Sequence, residues 1–128
     1  MRGTVKFYDS KKKWGFIKGT ETKKDMFFHQ SNIQMKGYRT LYKDDIVDFE
    51  IATDNKGREK AVNVTPILTL SMVSSELKKE ELHLMRFRDD KGIHGWYIVD
   101  KEDKSVVDKA MTLLEVATYV GINTEGLE

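Results

Sequence analysis

The chain has 128 residues, 39% hydrophobic and 34% charged, with a net charge of +1, which predicts a soluble globular protein of one ordinary domain or two small ones. It has no cysteine, which excludes a disulfide scaffold, thiolate zinc sites and cysteine nucleophiles, and without an apolar signal region or the ~18 apolar residues of a membrane span it is expected to be cytoplasmic. The charge is asymmetric: through Ile67, 14 lysines and arginines face 9 acids, and beyond it 8 face 12, so a phosphate-binding surface is expected in the first part.

Along the chain, residues 3–9 and 13–18 predict two strands joined by the lysine-rich turn Asp9-Ser10-Lys11-Lys12-Lys13, and residues 25–30 a third. Residues 46–52 alternate Ile46, Asp48, Glu50 and Ala52 with Val47, Phe49 and Ile51 and predict a fourth. Residues 60–66 predict a fifth, with Asp54-Asn55-Lys56-Gly57 as the turn between them and Pro66 at the exit. Residues 67–75 are apolar enough to pack but carry no decisive pattern. Ser74-Ser75-Glu76 predicts the serine-capped start of a short helix ending near Glu81. Residues 82–88 and 93–99 predict strands around the turn Asp89-Asp90-Lys91-Gly92. Two readings then stand: one helix from Ser105 to Val120, or a third strand at Val106-Val107-Asp108 followed by a helix from Thr112. The capping-box spacing of Thr112 and Glu115, with Gly121 as terminator, favours the second.

Alternate side chains of a strand share a face, so Trp14 and Phe16 oppose Gly15 and Ile17, and Phe27 and His29 oppose Met26 and Phe28. Val5, Ile17, Met26, Phe28, Ile33, Val47, Phe49, Ile51, Val62 and Val64 supply an interior, and both faces of a small barrel wall cannot be buried at once. The rings therefore belong outside, among Lys6, Lys11, Lys12, Lys13 and Lys18, where rings stack bases and ammonium groups neutralise phosphates. Phe7 joins them by its place beside Lys6.

Gly3-Thr4-Val5-Lys6-Phe7-Tyr8-Asp9, Lys12 to Ile17, Asp25 to His29 with Ser31 and Ile33, Gly37-Tyr38-Arg39-Thr40-Leu41 and Ala61-Val62-Asn63-Val64-Thr65 follow the order and spacing of a cold-shock domain. The first half of the chain thus resembles that family. The resemblance implies an all-β, five-stranded oligonucleotide-binding barrel over residues 1–67 that holds single-stranded RNA or DNA against its second and third strands. It carries a nucleic-acid-binding set onto Lys6, Phe7, Lys12, Trp14, Phe16, Asp25, Phe27, His29 and Tyr38. Lys12 would meet the backbone or a base, and Tyr38 would stack at one end of the groove. Asp25, like Asp9, would either read a base edge or simply repel phosphate. Three positions depart from the family. Lys13 replaces a usual glycine. Gln30 replaces a third-strand phenylalanine: either a stacking platform is missing that Gln30→Phe would restore, or the amide hydrogen-bonds a base edge instead. Arg58 replaces a usual proline and predicts a more basic, more mobile loop.

After a connection at residues 68–74, residues 75–128 read as a small α+β module of unassigned role. Its Phe87, Trp96 and Tyr97 would make a second stacking patch, but Asp89, Asp90, Asp100, Glu102 and Asp103 around them repel phosphate and favour core packing. His29, His83 and His94 lack metal-ligand spacing, although His83 and His94 would face one another in the hairpin as a surface pair. The expectation is a protein that binds single-stranded RNA or DNA as an RNA chaperone or regulator of gene expression. It is expected not to be an enzyme and to need no metal or cofactor. The alternative is an adaptor whose residues 75–128 capture a protein partner or dimerise; no membrane partner is expected.

Overall fold

Alternating apolar and polar residues in the first half produce five antiparallel strands: β1 (Arg2–Asp9), β2 (Trp14–Gly19), β3 (Met26–His29), β4 (Ile46–Thr53) and β5 (Glu59–Leu68). They form one sheet in the order β3-β2-β1-β4-β5. This computed structural model describes residues 1–127, and the chain divides into two compact units, Met1–Thr69 and Leu70–Glu128. In the first unit the expected barrel is realised in part. β3 and β5 remain the two edges of the sheet, and the segment after β3 reaches β5 through a parallel bridge between Ile33 and Val64. There the Gln34 N–H donates to the Val64 carbonyl at 2.8 Å.

Val5, Ile17, Met26, Phe28, Ile33, Leu41, Val47, Phe49, Ala61 and Val64 form the buried cluster of this unit. Two residues expected in it are displaced. The β4–β5 register slips between Asp48 and Glu50, with Asn63 at a φ of 49°, and this extra residue turns Ala61 inward and leaves Val62 only half-buried. Ile51 pairs with Ala61 close to the hairpin turn and is 37% exposed. Pro66 does not end β5, which continues to Leu68. A proline is tolerated there because β5 is an edge strand.

β1 contains the irregularity that matters most for the surface. Val5 pairs with Ile17, but Phe7 pairs with Phe16, so Lys6 is an extra residue opposite β2. Strict alternation would bury Phe7 beside Val5, and the bulge turns it to the opposite face. Close by, a Cβ on Gly15 would overlap the Phe7 carbonyl oxygen, so only glycine lets the bulged strand lie this close. The β1–β2 turn closes through Lys13, whose N–H donates to the Asp9 carbonyl at 2.7 Å. Lys13 has a φ of 69°, the left-handed conformation that glycine adopts without steric cost.

The second unit comprises α1 (Leu70–Lys79), β6 (Leu82–Arg88), β7 (His94–Asp100), β8 (Val106–Ala110) and α2 (Leu113–Tyr119), with a three-stranded sheet in the order β6-β7-β8. The expected helix start at Ser74-Ser75 is corrected. The helix begins at Leu70 and buries Val73 and Leu77, an i, i+3, i+7 stripe with Leu70, so the serines lie mid-helix rather than at a cap. Most of the expected connection at 68–74 is therefore the end of β5 and the first half of α1. After β7 the strand-then-helix reading is the one realised. Thr112 caps α2 by accepting from the Glu115 N–H at 3.2 Å, and the Glu115 carboxylate accepts from the Met111 N–H at 2.9 Å.

Trp96 is buried with Ile98 and Ala110, and the Arg86 guanidinium lies 4.2 Å from its ring centroid. Phe87 and Tyr97 are not core, in contrast to the expectation. They are half-buried and stack on each other at 4.6 Å, with Phe87 covering Gly95. His83 and His94 do not face one another, since His83 pairs with Val99 and His94 with Arg88. No helix among the described residues is long and apolar enough to cross a membrane.

Two substitutions test the local reading of β1 and its turn. Gly15→Ala is expected to destabilise the protein by about 1–3 kcal/mol, because the added methyl displaces the β1 backbone. Lys13→Gly is expected to stabilise it by up to about 1 kcal/mol, because it relieves the left-handed conformation. The midpoint of urea unfolding should fall in the first variant and rise in the second.

Candidate nucleic-acid interface

The bulge at Lys6 places Phe7 on β1 beside Phe16 on β2, and Phe16 pairs in turn with Phe27 on β3. Three rings thus run in a row across three strands. Trp14 stands two pairs further along, on the same face, between Asp9 and His29. Its ring centroid is 5.6 Å from Phe7, 5.6 Å from Phe16 and 5.9 Å from Phe27, and Phe16 and Phe27 are 6.1 Å apart. All four contacts are edge-on or tilted, so the rings brace one another and none lies flat on its neighbour. Phe7 is 45% exposed and Phe27 37%, while Trp14 and Phe16 are half-buried.

His29 is held at the end of this platform by the short 3-10 turn Gln30–Asn32 that follows it. Its Nδ1 accepts from the Ser31 N–H at 3.1 Å, and its own N–H donates to the Asn32 side-chain oxygen at 3.2 Å. Lys6 and Asp25 flank the rings as an ion pair at 3.3 Å. Both are well exposed, so the pair contributes about 0–1 kcal/mol and its members can exchange for other partners. Asp9 is committed elsewhere. Its carboxylate accepts from the Lys12 and Lys11 N–H groups at 3.0 and 2.9 Å, which hold its pKa below the usual carboxylate value, the Lys12 amide first. Lys12 extends from this turn with its side chain exposed. Tyr38, 63% exposed, stands on the long loop with the Lys13 ammonium 5.3 Å from its ring centroid.

The structure thus brings Phe7, Trp14, Phe16, Phe27 and His29 onto one continuous face, with Lys6 and Asp25 at its margin. Lys12 and Tyr38 belong to the adjoining turn and loop. Gln30 is not an empty stacking position on β3. It lies in the 3-10 turn and its amide donates to the Arg39 carbonyl at 2.9 Å, pinning the long loop. Tyr8 was not singled out by sequence and converges on the same carbonyl at 3.5 Å while its ring stacks on buried Phe28 at 5.7 Å. Burial is the main cause pushing its hydroxyl pKa up, with Tyr38 adding to it and a hydrogen bond from Gln30 opposing it.

Arg58 tightens its loop, contrary to the expected mobility. Its backbone N–H, which a proline would lack, donates to Asp54 at 2.9 Å, and its guanidinium meets the same carboxylate at 2.9 Å. Beside Phe27, a groove of about 420 Å³ is lined by Asp54, Arg58, Glu59 and Lys60.

Residues 1–67 match the family model described as the 'Cold-shock' DNA-binding domain. A cold shock-like protein of Thermotoga maritima is 48% identical over 61 residues, which cover 48% of this chain and 91% of that protein. One from Aquifex aeolicus is 45% identical over 65 residues, 50% of this chain and 93% of the relative. Cold shock domain-containing protein 4 of Arabidopsis thaliana is 42% identical over 64 residues, 50% of this chain but 32% of the plant protein. The match to the plant protein therefore spans about a third of its length.

Replacing Gln30 with Ala is expected to cost about 0.5–1.5 kcal/mol, the worth of one hydrogen bond. It should also speed amide exchange in residues 38–41 while leaving the ring row in place. The Asp9 turn should depend on acidity. Because its folded pKa is lowered, its stabilising effect is complete above the unfolded carboxyl value of about 4 and is lost as pH falls through the folded value. The protection of the Lys11 and Lys12 amides, taken relative to the intrinsic exchange rate at each pH, should fall over that acid range, and Asp9→Asn should abolish the pH step.

Proposed function

Since residues 1–67 make this chain a member of the cold-shock domain family, we propose that it binds single-stranded RNA or DNA on the outer face of β1, β2 and β3 and serves as an RNA chaperone or regulator of gene expression. The observation that carries this reading is the continuous row of outward rings, Phe7, Phe16 and Phe27 with Trp14 among them. Such a row is an exposed apolar surface on the more basic part of the chain, and a nucleobase is the flat partner that would cover it.

In a duplex, base faces are stacked on one another and closed to these rings, so only unpaired strands engage them. Each base stacked on a ring contributes about 1–3 kcal/mol. Binding then draws strands away from duplex by mass action and needs no nucleotide hydrolysis. Lys6 exchanges Asp25 for a passing phosphate, and Lys12 and Lys13 extend the basic track along the β1–β2 turn. Every base has a flat face and stacking does not touch the 2′-hydroxyl, so sequence preference is modest and RNA and DNA of one sequence bind similarly.

Anisotropy titration of a labelled unpaired strand tests the proposal. Phe16→Ala and Phe27→Ala are each expected to weaken binding by about 1–3 kcal/mol with an unchanged circular dichroism spectrum. Full affinity in both variants would contradict it, and so would unfolding, which would make the rings structural.

A further inference from the structure

We propose that the groove between β1 and the turn at residues 40–43 is a further nucleotide subsite, in which the base lies against Tyr42 and the phosphate meets Lys43. The proposal rests on the single-strand reading above and extends it past the end of the ring row. The groove measures about 270 Å³, and Phe7, Tyr8, Leu41, Tyr42 and Lys43 line it together with Lys6. Because the β1 bulge turns Phe7 outward, this ring is both the last member of the platform and one wall of the groove. A strand that leaves the platform over Phe7 therefore enters the groove directly.

The opposite wall is held rigidly for such a short segment. The Val5 N–H donates to the Asp45 carbonyl at 2.9 Å, and the Asp44 N–H donates to the Val5 carbonyl at 2.8 Å. These two bonds lock the turn to β1 one residue before the bulge. The buried Asp45 closes the turn, its carboxylate accepting from the Tyr42 N–H at 2.8 Å. With its backbone fixed in this way, Tyr42 is 47% exposed on a segment that needs no reordering when a base covers it. Leu41 is buried and Tyr8 is anchored on Phe28, so both are firm.

The chemistry of the walls selects a nucleotide. Aromatic surface on both sides suits a base, and the Lys6 and Lys43 cations suit a phosphate. The acids nearby offset them only in part: Asp25 pairs with Lys6 at 3.3 Å but is exposed and exchangeable, the Asp45 carboxylate is turned to the Tyr42 amide, Asp9 to its own turn, and Asp44 is exposed beside Lys43.

The test uses the full chain and a series of oligodeoxythymidylates lengthened one nucleotide at a time. Wild-type affinity should rise with length to a plateau. Tyr42→Ala should reach its plateau one nucleotide earlier and bind long strands about tenfold more weakly, the effect of one lost stacking ring. Tyr42→Phe should restore the final step. Lys43→Ala should lower the slope of log affinity against log salt by about 0.7 on long strands, one phosphate contact. Neither alanine variant should differ from wild type on the shorter strands. The subsite is overturned if Tyr42→Ala matches wild type at every length, or if it loses affinity equally at every length. If short strands still depend on Phe16 in either case, the ring-row reading stands alone; if the wild type binds none of the strands, both fall.

Discussion

One extra residue in β1 sets the outer surface of the first unit. With Lys6 bulged, Val5 stays in the core against Ile17 while Phe7 swings out against Phe16. Without the bulge the period of the strand would bury Phe7 and leave a gap in the row where β1 should contribute. The bulge is held from both sides. Gly15 lets β2 lie directly against the displaced backbone, and the residues 44–45 of the following turn bond to Val5 just before it. Sequence features far apart in the chain therefore serve one local distortion.

The exposed rings are costly to maintain in water, and the structure offsets this by holding them against one another. Edge-on pairs contribute about 0.5–1.5 kcal/mol each beyond burial, and Trp14 touches Phe7, Phe16 and Phe27 at once. The surrounding loops are fixed by specific hydrogen bonds: Asp9 closes the β1–β2 turn, Gln30 and Tyr8 grip the long loop, and Arg58 binds back to Asp54. A surface that is rigid before a strand arrives spends little of its stacking energy on ordering itself. On the proposed reading, the acids near the rings are either committed to turns or, like Asp25, paired with a lysine that can change partners.

What could be read in advance follows from how local each determinant is. The faces of β2 and β3 were legible because their alternation is uninterrupted, so Trp14 and Phe16, and Phe27 and His29, separate cleanly from Ile17 and Phe28. The β1 bulge leaves no mark in the apolar pattern, and Phe7 came to the surface set through its neighbour Lys6 rather than through alternation. Helix α1 was displaced because Ile67-Leu68-Thr69-Leu70 blends the end of a strand into the start of a helix, and Ser74-Ser75 imitates a cap. The stripe of Leu70, Val73 and Leu77 was the signal that outweighed it. Gln30 and Arg58 read as losses from the family pattern because sequence alone does not reveal that their N–H groups find partners at Arg39 and Asp54. Tyr8 is hidden from the sequence for the same reason: it stacks on Phe28 and bonds the Arg39 carbonyl across the fold.

The central claim is that the outward rings of β1 to β3 stack unpaired bases, and Trp14 reports on it directly. Trp96 is the other tryptophan and is buried in the second unit, so Trp96→Phe leaves Trp14 as the lone indole emitter. Its fluorescence should be quenched by a single strand and hardly at all by the same strand annealed to its complement. Equal quenching by both forms, or none by either, would contradict the account.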